Sequence, residues 1–150
     1  MFNQANAFNQ PLDQWDVSSV TNFGNVFFYN TSFNQDISSW NVESATHMQE
    51  MFKGATAFNQ DISSWNVVSV THMQEMFKDA TAFNQDLNDW AVPLQAGGNL
   101  TNMNEMFRGA TAFLDETAFP TGPASWLDGN GDPTPVLKAG GTHTDWLASS

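Results

Sequence analysis

The sequence predicts an α/β repeat solenoid with one short strand and one short helix in every 25-residue rung. Trp15, Trp40, Trp65 and Trp90 recur at a constant spacing of 25, as do Phe8, Phe33, Phe58 and Phe83, and a fixed period of that length is the signature of stacked repeats. The intervening residues match in type as well. FNQDISSWNVESATHMQEMFKGATA, starting at Phe33, is followed by the nearly identical FNQDISSWNVVSVTHMQEMFKDATA from Phe58. A chain of 150 residues holds a few such rungs.

The rungs can be taken in order. Met1 to Ala7 falls on the positions of Met51 to Ala57, so the first rung is partial at 1–7. A looser unit starts at Phe8, the two regular ones at Phe33 and Phe58, and the unit from Phe83 carries five extra residues between Trp90 and Met103. That insertion predicts a loop on one side of its rung. Regular repeats thus occupy 1–113. Residues 114–150 read as a degenerate fifth repeat with Gly/Pro-rich loops: Phe119 to Trp126 keeps the Phe-to-Trp spacing, Leu137 to Thr144 echoes Leu94 to Thr101, and Trp146 takes the place of Met103. The whole reads as one continuous solenoid domain. Since both ends fall inside a rung, the expectation is a stretch of a longer array or a subunit capped by neighbours.

Within a unit, Val67, Val70 and Met73 with Ser69 and Thr71 form a β-branched stretch suited to a short strand. Gln74 to Ala80 reads as one or two helical turns, because Met73, Met76 and Phe77 at i, i+3, i+4 would share one buried face. Gly54 and Gly109, with Asp79 in the same column, suit a helix end or a turn with unusual backbone angles. Phe83 returns to the core, Asn84-Gln85-Asp86 makes a polar corner, and Leu87 and Trp90 point inward. The predicted core is Phe33, Trp40, Met48, Met51, Phe52, Phe58, Trp65, Met73, Met76, Phe77, Phe83 and Trp90.

The phrase FNQDISSWNVxSVTHMQEMFKGATAFNQ, with its FNQ, W-x-V, V-T-x-M and M-F elements, resembles the BspA-like surface-protein repeats of about 25 residues. These are also known as the DUF285 type, found in mycoplasma and Listeria lipoproteins and related to leucine-rich repeats. The resemblance covers residues 1 to about 113. It implies a right-handed, leucine-rich-repeat-like coil in a secreted or cell-surface protein with an adhesion role, and brings no catalytic residues. The chain departs from the pattern in the five-residue insertion, in the C-terminal segment, and in the first rung, where Phe23, Val26 and Phe27 replace Met, Met and Phe.

Composition narrows the partners. Sixteen acidic residues against four basic ones give a formal charge of −12, which disfavours nucleic acid and anionic membranes and leaves neutral, cationic or metal partners. There is no cysteine, which excludes disulfide scaffolds, zinc knuckles and thiol nucleophiles. No apolar run approaches a membrane span, and the N-terminus shows no basic region followed by an apolar segment as in a signal peptide. Neither a G-x-S-x-G elbow nor a phosphate loop nor a dinucleotide fingerprint occurs, so the chain reads as non-enzymatic. The repeated Ser pairs and the Asp61 and Asp86 column are explained by the repeat itself.

Several groups of residues invite a site reading. Phe28 and Tyr29 replace Lys53 and Gly54 of the regular unit, at a position otherwise basic, and suggest either a contact patch or local repacking. His47 with Glu50 and His72 with Glu75 would stack into a two-His, two-carboxylate metal site. Asn22 and Asn102 in the His column favour instead an ordinary polar surface position. Asp128, Asn130 and Asp132 alternate as calcium ligands do, yet Pro133 and Ala139 stand where an EF-hand needs Gly and Glu, so a plain turn competes with calcium as the sole cofactor. Asn9, Asn34, Asn59 and Asn84 form an amide ladder read as structural, and the Thr21, Thr46, Thr71 and Thr101 column reads as strand propensity. Asn30-Thr31-Ser32 and Asn99-Leu100-Thr101 match glycosylation triplets.

The expected function is a surface-displayed or secreted module that recognises a protein or glycan. Alternatives are a structural subunit or spacer packed end-to-end or side-on with other chains, and a calcium-stabilised binding module.

Overall fold

The computed structural model describes residues 1–87, 90, 102, 103 and 105–113. Within them the 25-residue period is realised as a stack of rungs, but the rungs are not built as the sequence predicts. No helix forms, and strand pairing is reduced to single parallel bridges, Asn22 to His47, His47 to His72 and His72 to Asn102. The expected α/β solenoid, with a helix over Gln74 to Ala80 and a strand around Val67 to Met73, is therefore corrected: each rung is a chain of tight turns.

The reason lies in where the backbone N–H groups go. Those of Met48, Glu50, Phe52 and Gly54 donate to the carbonyls of His72, Gln74, Met76 and Lys78 in the next rung, at 2.7 to 3.0 Å. The N–H groups of Met51, Lys53 and Ala55, which alternate with these, close local turns on Met48, Glu50 and Phe52. An α-helix would turn the donors beyond its first turn inward on the fourth preceding carbonyl, leaving fewer to hold its neighbour. A segment of about six residues is also too short to be a stable helix by itself. Inter-rung bonding wins.

This alternation forces a left-handed residue every fourth position. Asn25, Glu50, Glu75 and Glu105 have φ between 53° and 60°, and Gln4, Tyr29, Gly54, Asp79 and Gly109 form a second column with positive φ. Each closes a turn as its third residue, where a type II turn needs a positive φ. Glu, Tyr and Asp in this region cost on the order of 1–2 kcal/mol each, a strain held by the bonds on either side. The second column also alternates in size. A Cβ on Gly54 would lie 2.6 Å from Tyr29 Cδ1, and one on Gly109 would lie 2.2 Å from Asp79 Oδ1, so the side chain of one rung lies across the glycine of the next.

The core runs the length of the stack. All twelve predicted core residues are buried, joined by Ile37, Val42, Ile62, Val67 and Leu87. Phe2, Phe27, Phe52, Phe77 and Phe107 stack in one column with centroids 5.4 to 5.7 Å apart. Phe8, Phe33, Phe58, Phe83 and Phe113 form a second column 3.9 to 4.1 Å from the first within each rung. Offset stacking of this kind is the favoured aromatic geometry. Although 30 residues separate His72 from Asn102, Phe77 still stacks on Phe107 at 5.4 Å, so the insertion leaves the columns in register.

Polar ladders seal the corners. Trp40, Trp65 and Trp90 donate their indole N–H to the carbonyls of Leu12, Ile37 and Ile62 at 2.9, 3.1 and 3.0 Å. The Oδ1 atoms of Asn9, Asn34 and Asn59 accept the backbone N–H of Asn34, Asn59 and Asn84 at 2.8 to 3.0 Å. Asp36 and Asp61 accept the N–H of Ser38 and Ser63 two residues on, at 2.9 Å each, the self-capping habit that suits Asp to turns. The insertion, the degenerate fifth repeat and the Asn99 triplet lie outside the described residues.

Candidate functional site

Regular ladders leave few places for specificity, so the site is sought where they break. The first break is electrostatic. Lys53 binds Glu50 at 3.2 Å and also Glu75; Lys78 binds Glu75 at 3.3 Å and also Glu105; Arg108 binds Glu105 at 2.8 Å. Three of the four basic residues of the chain, Lys53, Lys78 and Arg108, are thereby committed to one zigzag of alternating charge. The Lys53 ammonium holds the Glu75 carboxyl below its usual range, and Lys78 does the same for Glu105. Burial pushes Lys53 down, but its bonds to Glu75 and Glu50 outweigh this and its pKa rises; the bond to Glu105 raises that of Lys78. Asp16, Asp36 and Asp61 are lowered by hydrogen bonds from Ser18, Ser38 and Ser63 instead.

Phe28 and Tyr29 end this zigzag. The Lys53 ammonium lies 5.5 Å from the centre of the Phe28 ring, a cation–π distance, where the pattern would place another basic residue. Tyr29 packs edge-on against Phe28 at 4.7 Å and lies across Gly54. Phe28 is half-buried and Tyr29 is 41% exposed. The pair is thus both a repacking of the ladder and an exposed aromatic edge.

The second break is apolar. Of the four large hydrophobic residues exposed among the described residues, Met1 at 84%, Trp15 at 45% and Tyr29 belong to the first two rungs; Val68 is the other. An open recess of about 580 Å³ lies there, lined by Phe2, Trp15, Val20, Phe23 and Trp40, with Asp16 and Asn22 among its polar groups. Unlike the later tryptophans, Trp15 donates its indole N–H to no acceptor among the described residues, and neither does the Thr21 N–H. An indole face beside a carboxylate and an amide can stack on and hydrogen-bond a neutral polar ligand. Trp15 falls in the same column as three buried tryptophans, so the sequence pattern does not single it out.

The remaining candidates separate cleanly. Glu50 and Glu75 are committed to lysines, so the two-His, two-carboxylate group is not assembled, and no cluster of three or more metal-binding side chains occurs among the described residues. The two histidines do meet, with rings stacked 4.4 Å apart. Asn30, at the column of Ala55 and Ala80, is fully buried, and its amide bonds the Phe8 carbonyl and the Phe33 N–H; as a glycosylation acceptor it is inaccessible. Each hydroxyl of Thr46 and Thr71 bonds the carbonyl of the preceding threonine. Asp128, Asn130 and Asp132 lie outside the described residues. Nor does any helix among the described residues have the length and apolarity to cross a membrane.

Turn-built rungs with laddered side chains define a repeat protein. The model of the family described as Mycoplasma protein of unknown function, DUF285, matches residues 1–119, and the chain belongs to that family. No curated protein and no solved structure matches it.

Proposed function

We propose that the chain is a non-enzymatic repeat module, displayed on the cell surface or secreted, that recognises a protein or glycan. The observation that carries this reading is the break in the charge ladder at Phe28 and Tyr29, where an aromatic pair, with Tyr29 41% exposed, stands beside Lys53. With Lys53, Lys78 and Arg108 committed to glutamates, this surface favours neutral or cationic ligands over anionic ones. Membership of DUF285 is compatible with a surface repeat module. The test is a glycan and peptide array probed with the intact chain, repeated with Phe28→Ala and Tyr29→Ala. Saturable binding lost in the variants at unchanged melting temperature supports the reading; binding that survives both substitutions refutes it.

A second reading has its own support. The Trp15 indole and Thr21 N–H groups stand in the columns whose donors at Trp40, Trp65, Thr46 and Thr71 hold each rung to the one before it. Another chain's rung could therefore pack there, making the protein a structural subunit or spacer. Light scattering that shows a concentration-dependent assembly abolished by Trp15→Ala would favour this alternative.

A further inference from the structure

We infer that Phe28, Tyr29 and Glu50 form a docking site for an arginine side chain of a partner protein, whose guanidinium supplies a cation that the charge ladder lacks at this point. On the reading of the aromatic pair as the recognition surface, on which this rests, the ligand is a protein and not a glycan. In the ladder each lysine binds the glutamate of its own rung and reaches forward to that of the next: Lys53 holds Glu50 and Glu75, and Lys78 holds Glu75 and Glu105. Glu75 is therefore bracketed by two cations, and Glu105 by Lys78 and Arg108. Glu50 has Lys53 alone among the described residues. The place of its second cation, one period back from Lys53, is taken by Phe28, as that of the preceding glutamate is taken by Asn25. The Oε1 atom of Glu50 accepts no bond among the described residues, and the side chain is 30% exposed.

This break lies within the stack. The Phe28 carbonyl accepts the Gln4 N–H at 2.7 Å on one side, and the Tyr29 N–H donates to the Lys53 carbonyl at 2.7 Å on the other, so the rungs on both sides hold the aromatic backbone in place. The Tyr29 ring is pinned as well, since it lies across Gly54 and edge-on to Phe28, with 41% of the residue left to solvent. A ring fixed in advance loses little entropy on binding. Lys53 shows what the pair accepts: its ammonium lies 5.5 Å from the Phe28 ring centre while bonded to Glu50, a cation shared between an aromatic ring and this carboxylate. A guanidinium repeats that arrangement from outside, because its flat face stacks on an aromatic ring while its edge N–H groups donate to a carboxylate. A neutral sugar would leave the Glu50 charge without its second cation. The excess of acidic over basic residues, 16 against 4, favours the approach of a cationic segment.

The experiment is an NMR titration of the nitrogen-15-labelled intact chain with the capped peptide acetyl-Gly-Arg-Gly-amide, and with the same peptide carrying neutral citrulline in place of arginine. The variants are Tyr29→Ala, Glu50→Gln and Phe28→Lys, with melting as the check on folding; should a variant melt early, the citrulline comparison in the unaltered chain decides. Phe28→Lys supplies the absent cation from within, and is expected to pair with Glu50 and close the site. The expected result is saturable shifts centred on the Phe28, Tyr29 and Glu50 amides, absent with citrulline, weakened about threefold or more by Tyr29→Ala or Glu50→Gln and lost in Phe28→Lys. Equal shifts with citrulline, or arginine binding that survives Glu50→Gln and Phe28→Lys, overturn the proposal. So do shifts spread over Asp36 and Asp61, or none that saturate. A glycan bound through Tyr29 on the array would sink this assignment and leave the broader recognition reading standing, whereas an array in which no binding depends on Phe28 or Tyr29 would end both.

Discussion

Removing Trp65 tests the stacked architecture most directly. Its side chain is 3% exposed, stacks on Trp40 with centroids 6.4 Å apart, leans against Phe52, and donates its indole N–H to the Ile37 carbonyl at 3.1 Å. Truncation of a buried aromatic to alanine costs about 3–5 kcal/mol. The Ile37 carbonyl also accepts the Trp40 N–H at 3.1 Å, so it is not orphaned, and the lost indole bond accounts for only about 1 kcal/mol of that total. Trp65→Phe isolates this part: it keeps a ring in the column but removes the donor, and is expected to cost about 1–2 kcal/mol. Urea unfolding followed by far-UV circular dichroism measures both, provided the slope with denaturant is unchanged. A loss below about 1 kcal/mol for Trp65→Ala would mean that the tryptophan column does not hold the rungs together, and the whole stacking argument would fall with it.

Other consequences can be checked with the same assay. Gly54→Ala places a Cβ against the Tyr29 ring at positive φ and should cost about 1–3 kcal/mol; adding Tyr29→Gly should recover the steric part, a non-additivity that a double-mutant cycle reads. Asn59→Ala removes the acceptor for the Asn84 N–H and the Gln85 side chain and should cost about 1–2 kcal/mol, whereas Asn59→Asp, which keeps an acceptor, should cost less at neutral pH. Glu75 and Glu105 are held below, and Lys53 and Lys78 above, their ordinary values. The carboxylates thus contribute stability above their unfolded range that is lost as pH falls through the lowered values. The lysines contribute below theirs, and that part is lost as pH rises through the raised ones. Stability should be flat between about pH 5 and 10 and fall outside that window, with the window's height reduced by salt because the pairs are partly exposed. A monotonic rise or fall across it would contradict the ladder.

Much of the candidate site was hidden from sequence reading for a positional reason. The Phe28 and Tyr29 substitutions stand out because they break a column, but Trp15 conforms to its column and no local signal marks it. The histidine column reads from the sequence as an ordinary polar surface position, and the structure keeps its glutamate neighbours apart from it. Helical spacing would have put Glu50 beside His47; the left-handed φ at Glu50 and its bond to Lys53 instead direct that carboxylate into the charge ladder. In the same way, Asn30 reads as a glycosylation triplet locally and proves to be a buried bracket between Phe8 and Phe33.

What the amino-acid sequence determined alone is the period, the register and the membership of the core. Each depends on the hydrophobicity of individual side chains at a constant spacing, and that property travels with the residue wherever the backbone goes. What only the tertiary structure decided is the backbone path between those anchors. Met73 to Lys78 are good helix formers, and Gly54 with Gly109 look like helix ends. Yet alternate N–H groups of this segment find their acceptors in the next rung, at Asn102, Met106 and Arg108 for Met73, Phe77 and Asp79. Local propensity is worth tenths of a kcal/mol per residue, less than a hydrogen bond repeated down the whole stack, and the neighbour that supplies those acceptors is 24 or more residues away in the chain.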